Sequence, residues 1–576
     1  MPVKPGFTII EMMLFLAVSG AMAALLAVGL LATGCQQTPG GGSGGGSGGN
    51  ASAVELPSTA WTRASADAVA DGGTLTLAVT KMPDNWNPAQ ADGALAALRD
   101  VLIPMGFDQY LRADEAGKVR LNPDYLVSAE LKSTDPQMVE VKLNPNAKWQ
   151  DGSPITVDDL IAYQKALSGA NEAYQVASKV GWQDIASIVK TTDDFTAEIT
   201  YSKKNADWII YTYPELPASI SNDPEVFNTG YVAKPWPSKG PFRVASVDQT
   251  AGVISLERNP LWWGATPKLD QLIFRVVTQA NEPQSFANGE IDTMNDITTG
   301  DSYQTAKGRQ DAMVQTTNGV TWTHVTLNAT RGALTDAAVR QAIALTINRE
   351  VIGQTAVGPL EAPVSLVNNG VFLPGQDGYE DSYLGKLTHD PEQAAQILAD
   401  AGYQKGSDGV YEKAGQRLEF AITVPSETKS NADRAAQIQK DLNANGFKVE
   451  IATVPVENYF KDYVNRKNFD MVTFSWQGTL FPIQSAGNLF YPIDSEQNYT
   501  GYANPKVGEL NQAAQAEFDR EKRIAKANEL STAMLGDYTI IPFYATPKVV
   551  AVKDTVVNYG ASQFETPDWT IVGFKK

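Results

Sequence analysis

Between residues 139 and 167 the spacing of apolar positions changes from two to three or four, which predicts a strand, a turn and a helix in that order. Residues 139–143 alternate apolar and polar, as a strand with one buried face does. Asp151 and Gly152 supply a turn in which glycine takes the positive φ other residues avoid, and Pro154 fixes the exit direction. Thr156 is a good N-cap, Asp158 and Asp159 place negative charge in the first helical turn, and Leu160, Tyr163 and Leu167 recur at helical spacing. The two aspartates are therefore expected to form the fold rather than perform acid chemistry.

The same reading extends along the chain. Residues 74–79 alternate as a strand, and 84–88 form a loop before a helical pattern at 91–101. Residues 211–238, with Tyr211, Tyr213, Phe227, Tyr231 and Trp236, are too irregular for one long element, and core filling is the default for such aromatics. Gly240 and Pro241 open a hairpin through Phe242, Val244 and Val247 to residues 253–256. Beyond residue 320, helices at 336–347, 391–401, 432–443 and 456–464 alternate with strands at 418–424, 448–453 and 470–475. Such alternation predicts an α/β class. Helical patterns at 507–535 and strands at 538–544 and 548–552 close the chain.

A chain of 576 residues exceeds what one core usually supports, so at least two domains are expected. The net charge of -19 argues against a nucleic-acid partner, which would need clustered Lys and Arg. Cys35 is the single cysteine, and His324 and His389 are the two histidines, so a disulfide framework, a zinc site or an iron–sulfur cluster is not expected, nor any other cofactor. Residues 41–45 match a nucleophile elbow in letters but lack its strand and helix. Ser426 and Lys429 match S-x-x-K without the accompanying motifs, and no phosphate-binding loop occurs. An enzyme is not expected.

The first 50 residues carry their own signals. Residues 12–31 are uncharged and long enough for a signal or membrane segment, and they end at Leu31, Ala32, Thr33, Gly34 and Cys35. This end resembles a bacterial lipobox, which implies acylation of Cys35 and anchoring outside the cytoplasmic membrane. Gly6 to Glu11 also resembles a type IV prepilin cleavage motif, which leaves a pilus-associated adhesin as an alternative; both exports carry the body out of the cytoplasm. Residues 36–50 are rich in Gly and Ser and behave as flexible coil, so the stretch from Cys35 to Val54 reaches about 25 Å.

The motif W-x-D-G-x-P-[IV]-T-x-[DE]-D at 149–159, with its lead-in from Leu143, resembles the signature of peptide-type ABC importer solute-binding proteins, family 5. Further blocks follow in order: Gly240 to Arg243, Leu256 to Gly264, Asn288 to Asp292, Leu327 and Asn328 with Asp336 to Ile343, Ala401 to Tyr403, and Phe469 to Met471 leading to Trp476. The resemblance implies a two-lobed α/β fold of the periplasmic-binding-protein type, with an extra subdomain in the first lobe. Lobe I is expected at 71–322 with the subdomain about 100–235, lobe II at 323–535, and a return to lobe I at 536–576, after a leader and anchor at 1–35 and a tether and arm at 36–70.

It also implies a monomeric binding protein that delivers peptides to permease subunits, the peptide lying as an added strand along Trp476, Gln477, Gly478 and Thr479. Asn85 and Trp86 on the first loop, Trp236, Asn328 and Tyr491 complete the expected contacts. Peptide binders commonly carry an aspartate where Thr479 stands, to pair with the ligand's ammonium. Asp494 or another carboxylate takes over that task, or the ligand lacks an ammonium, which leaves an oligosaccharide or a metal chelate open.

Overall fold

The computed structural model describes residues 56–576 apart from Leu95 and Glu496. Cys35, the leader, the prepilin-like motif and the Gly/Ser tract lie outside the described residues. Among the described residues no helix is long and apolar enough to cross a membrane.

Two four-stranded sheets dominate lobe I. Thr74–Val79 pairs in parallel with Gln271–Val276, which continues antiparallel through Val253–Arg258 to Phe242–Asp248. The subdomain sheet runs Leu126–Thr134, Gln137–Leu143, Thr196–Tyr201, Ile185–Lys190, all antiparallel. One apolar core joins them, taking Leu75 and Leu272 from the first sheet and Val139 and Ile199 from the second. Tyr211, Tyr213, Phe227, Tyr231 and Trp236 are all buried in that core. Residues 56–70, the latter half of the expected tether and arm, are pinned to the C-terminal segment. Ala60 N donates to Ala561 O at 2.9 Å, and Val69 bridges Lys575.

The motif at 149–159 is built from turn chemistry. Gly152 has φ of 88°, and Gly152 N donates to Trp149 O at 2.9 Å. The helix Val157–Leu167 follows, burying Leu160, Tyr163 and Leu167. Asp159 Oδ2 accepts from Thr156 N at 2.8 Å, Thr156 Oγ1 at 3.3 Å and Trp149 Nε1 at 3.3 Å, while Oδ1 accepts from Ala218 N at 2.7 Å. One buried carboxylate thus fixes the turn, the helix start and the next short helix, Ala218–Ser221.

Lobe II is centred on a six-stranded sheet in the order Ser365–Leu366, Ile540–Ala545, Thr321–Leu327, Met471–Gln477, Glu419–Pro425, Lys448–Val454. Two backbone crossings lead into it. Ala312–Thr317 passes through 318–320 into Thr321–Leu327, and Ile540–Ala545 passes through 546–547 into Lys548–Lys553. The strands pair antiparallel on both sides of the crossings, Thr317 opposite Lys548 and Trp322 opposite Ala545, so one ribbon runs through both lobes. A Cβ on Gly319 would sit 1.9 Å from Thr546 O, so the crossings touch only because residue 319 is glycine.

This pairing corrects one expected boundary. Residues 540–545 belong to the lobe II sheet, so the chain returns to lobe I at 546–547, not at 536. Alternating apolar residues place a strand there but cannot say which sheet it joins. The helical patterns at 507–535 form two helices, Pro505–Gln515 and Arg520–Leu535, the second capped by Asp519 accepting from Lys522 N.

Replacing Asp159 by alanine removes the cap and leaves buried Trp149 Nε1 and Ala218 N without acceptors. Urea unfolding of D159A is expected to show a loss of about 3 kcal/mol. A loss below about 1 kcal/mol would count against the structural reading of this carboxylate.

Candidate functional site

Met471–Gln477 pairs antiparallel along its whole length with Thr321–Leu327. On its other side the parallel partner Glu419–Pro425 meets only Met471 and Val472. Thr473 O is closed off by Asn431 Nδ2 at 2.9 Å and Tyr459 OH at 3.1 Å. Among the described residues, 474–477 therefore carry a strand edge with no neighbouring strand, whose outward N–H and C=O groups need partners.

Trp476 stands on that edge, half-buried. Its ring stacks on Tyr499 at 5.9 Å with 7° between planes, and on His324 at 6.1 Å and 12°, with Phe474 edge-on at 5.3 Å. Trp476 Nε1 is shielded and has no hydrogen-bond partner within the protein. Burial, seconded by the Arg434 charge, holds the His324 imidazole down to about 3, so this ring packs as a neutral aromatic.

Gln477 is exposed at the strand end. Gly478 N donates to Val320 O at 2.7 Å, tying the edge to the first crossing. Thr479 is exposed, but its carbonyl accepts from Gln376 Nε2 at 3.0 Å and its Oγ1 from Phe481 N at 3.3 Å. Tyr491 lies against Gly508, where a Cβ would come 2.6 Å from the ring, and borders the same apolar cluster as Trp476.

The remaining expected contacts lie elsewhere. Asn328 is fully buried; its Nδ2 donates to Lys467 O and Phe469 O, and its Oδ1 accepts from Thr330 N and Oγ1. That uses the amide's full capacity, so Asn328 staples a loop and has nothing left for a solute. Asn85 is spent in the same way on Gln90 Oε1, Asn228 O and Asn87 N. Trp86 and Trp236, 1% and 0% exposed, are packed inside the lobe I core rather than on a cleft wall. Loop and aromatic signals mark both core and cleft, and only packing separates them. Asp494 is exposed, with its charge acting on Lys467.

Sequence reading missed a polar cluster beside the second crossing. Lys548 Nζ meets Asp296 Oδ1 at 2.7 Å, and Glu282 Oε1 accepts from Asn295 N at 3.4 Å. Burial pushes Glu282 up to about 7, with the Asp296 charge adding to it. Asp100 reaches solvent, yet desolvation by the surrounding protein pushes it up to about 6 against the pull of Lys548. Burial works against charge on Lys548, but Asp296 outweighs it and the ammonium is raised. These residues come from segments up to 450 positions apart and share no local motif.

The lobes also touch away from the crossings. Ala206 N donates to Gln515 O at 2.9 Å, and Gln484 Nε2 to Tyr211 OH at 2.6 Å. A cavity of about 180 Å³ beside these contacts is lined by Gln183, Lys203 and Asn205 of lobe I and by Gln484, Asn488 and Gln515 of lobe II. Residues of both lobes thus line one cavity.

Comparison with known proteins places this geometry. The family model of bacterial extracellular solute-binding proteins, family 5 Middle, matches residues 120–499. The oligopeptide-binding protein OppA of Mycobacterium tuberculosis (strain ATCC 25618 / H37Rv) is 34% identical over 513 residues, covering 88% of this chain and 85% of the relative. Among solved structures, the periplasmic EDTA-binding protein EppA has TM-score 0.79 at 27% identity, covering 91% of this chain and 99% of that one. Bacillus subtilis AppA in complex with a nonapeptide has TM-score 0.68 at 20% identity, covering 88% and 100%; at that identity the likeness is of fold.

Glu282 gives a pH test. Its carboxyl is raised in the folded state, so folding binds the proton more tightly; this stabilisation is complete below about 4.5 and is lost as pH rises through about 7. The melting temperature is expected to fall between pH 5 and 7.5 by the equivalent of up to about 3 kcal/mol, and E282Q to flatten that slope. An unchanged slope in E282Q would show that this carboxyl is not the source.

Proposed function

This chain belongs to the bacterial extracellular solute-binding proteins of family 5, and from that membership we propose that it captures peptides between its lobes and delivers them to the permease of an ABC importer. The observation that carries the reading is the unpaired edge at 474–477. An extended peptide added there supplies main-chain N–H and C=O groups whatever its side chains, so one site accepts many sequences. Trp476 contributes a ring face; Gln477, Gly478, Thr479 and Tyr491 continue the wall. The relative from Mycobacterium tuberculosis is named for oligopeptide binding, and the Bacillus subtilis structure holds a nonapeptide.

Binding is the whole of the chemistry: no bond is made or broken, and the solute leaves unchanged. The protein acts outside the cytoplasm as a monomer, tied to the membrane through acylated Cys35. A second reading is favoured by Thr479. Gln376 and Phe481 occupy its polar groups, it carries no charge for a ligand ammonium, and the EppA structure belongs to an EDTA-binding protein. A metal chelate without an ammonium fits that wall.

Calorimetry with a pool of tri- to nonapeptides, and separately with Fe(III)–EDTA, tests both. Peptide binding is expected, weakened on the order of thirtyfold in W476A. Chelate binding without peptide binding would replace the first reading with the second; binding of neither would sink both.

A further inference from the structure

The far side of the cleft holds a charged pair that the folding of neither lobe explains. Arg523, on the lobe II helix Arg520–Leu535, donates from Nη1 to Asp207 Oδ1 at 2.7 Å and from Nη2 to Oδ2 at 2.6 Å, while its Nε donates to Ala514 O at 3.2 Å. Asp207 sits in the lobe I loop that precedes the turn Trp208–Tyr211. Their side chains are 16% and 5% exposed, so the fork is made largely out of water, and 316 residues separate its members. Flanking it are the Ala206–Gln515 and Tyr211–Gln484 bonds, which also join the two lobes.

We propose that Arg523 and Asp207 form a latch that exists only when the lobes are closed and sets how long a solute is retained. The proposal rests on the reading of the lobes as closing round a solute. Its physics follows from burial. In the open form each group is hydrated, so the intact pair contributes little net free energy and does not hold an empty cleft shut. Removing one member leaves the other as an unpaired buried charge in the closed form alone, which raises the free energy of closure without touching the open state. The bidentate geometry also fixes the angle at which the lobes meet, something a lysine in place of the arginine cannot do.

The test uses D207N, R523K and the charge-swapped double variant D207R/R523D in the full chain, with circular dichroism confirming folding. Two readouts apply. One is dissociation of a bound pool of tri- to nonapeptides, followed by stopped-flow tryptophan fluorescence. The other is hydrogen exchange at the Ala206 amide, measured with and without that pool; its bond to Gln515 O reports closure directly. The single variants are expected to speed dissociation and Ala206 exchange on the order of tenfold, with association unchanged and exchange at Val139 and Val141 unaffected. The double variant is expected to recover part of both. Ala206 exchange unchanged in both conditions overturns the latch. If the wild type binds no peptide but Ala206 exchange still responds, the latch stands and the peptide reading falls.

Discussion

The close approach of two backbone segments governs this molecule. At 318–320 and 546–547 the chain passes between lobes twice, and Gly319 lets one crossing lie directly against Thr546 O of the other. The strands pair on both sides of this point, so only a few residues between the lobes lie outside a ladder. Gly478 N on Val320 O connects the open strand edge to the same point. The open strand edge is thus tied directly to the crossings.

The interface between lobes is different at its two ends. Near the crossings an apolar cluster spans both lobes: Phe286, Met294 and Val549 are buried together with Val325, Ile343 and Ile541. Separating such surfaces costs roughly 25 cal/mol per Å² of apolar area, so this end resists opening. At the far end the contacts are the Arg523–Asp207 fork and hydrogen bonds among Ala206, Tyr211, Gln484 and Gln515, which water can replace. Among the described residues the other buried apolar clusters keep within one lobe. The lobes thus meet through dry packing in one place and through exchangeable polar contact in another.

The most recognisable stretch of sequence turns out to be architectural. Trp149, Thr156 and Asp159 are engaged with one another and with Ala218, inside lobe I. Their distinctive spacing comes from a turn, a cap and a buried carboxylate that must satisfy four donors at once. The residues proposed to meet a solute, Trp476 to Thr479, have looser local requirements, since a strand edge is defined by what does not lie beside it.

Local chemistry was legible from sequence wherever neighbours in the chain decide the outcome. Periodicity placed the strands and helices, Thr156 and Asp159 marked a helix start, the aromatics of 211–238 read as core, and ordered motif blocks pointed to two lobes. Partners distant in the chain were not legible. The strand at 540–545 joins the lobe II sheet because of the residues it pairs with, not because of its own pattern. Trp86 and Trp236 went into a core, and Asn85 and Asn328 became staples, because burial and hydrogen-bond saturation depend on surroundings that a one-dimensional pattern does not carry. Arg523 with Asp207, and Lys548 with Asp296, are ordinary charges in sequence; only folding brings them within 3 Å of each other, and at such distances burial and pairing decide what a charge does.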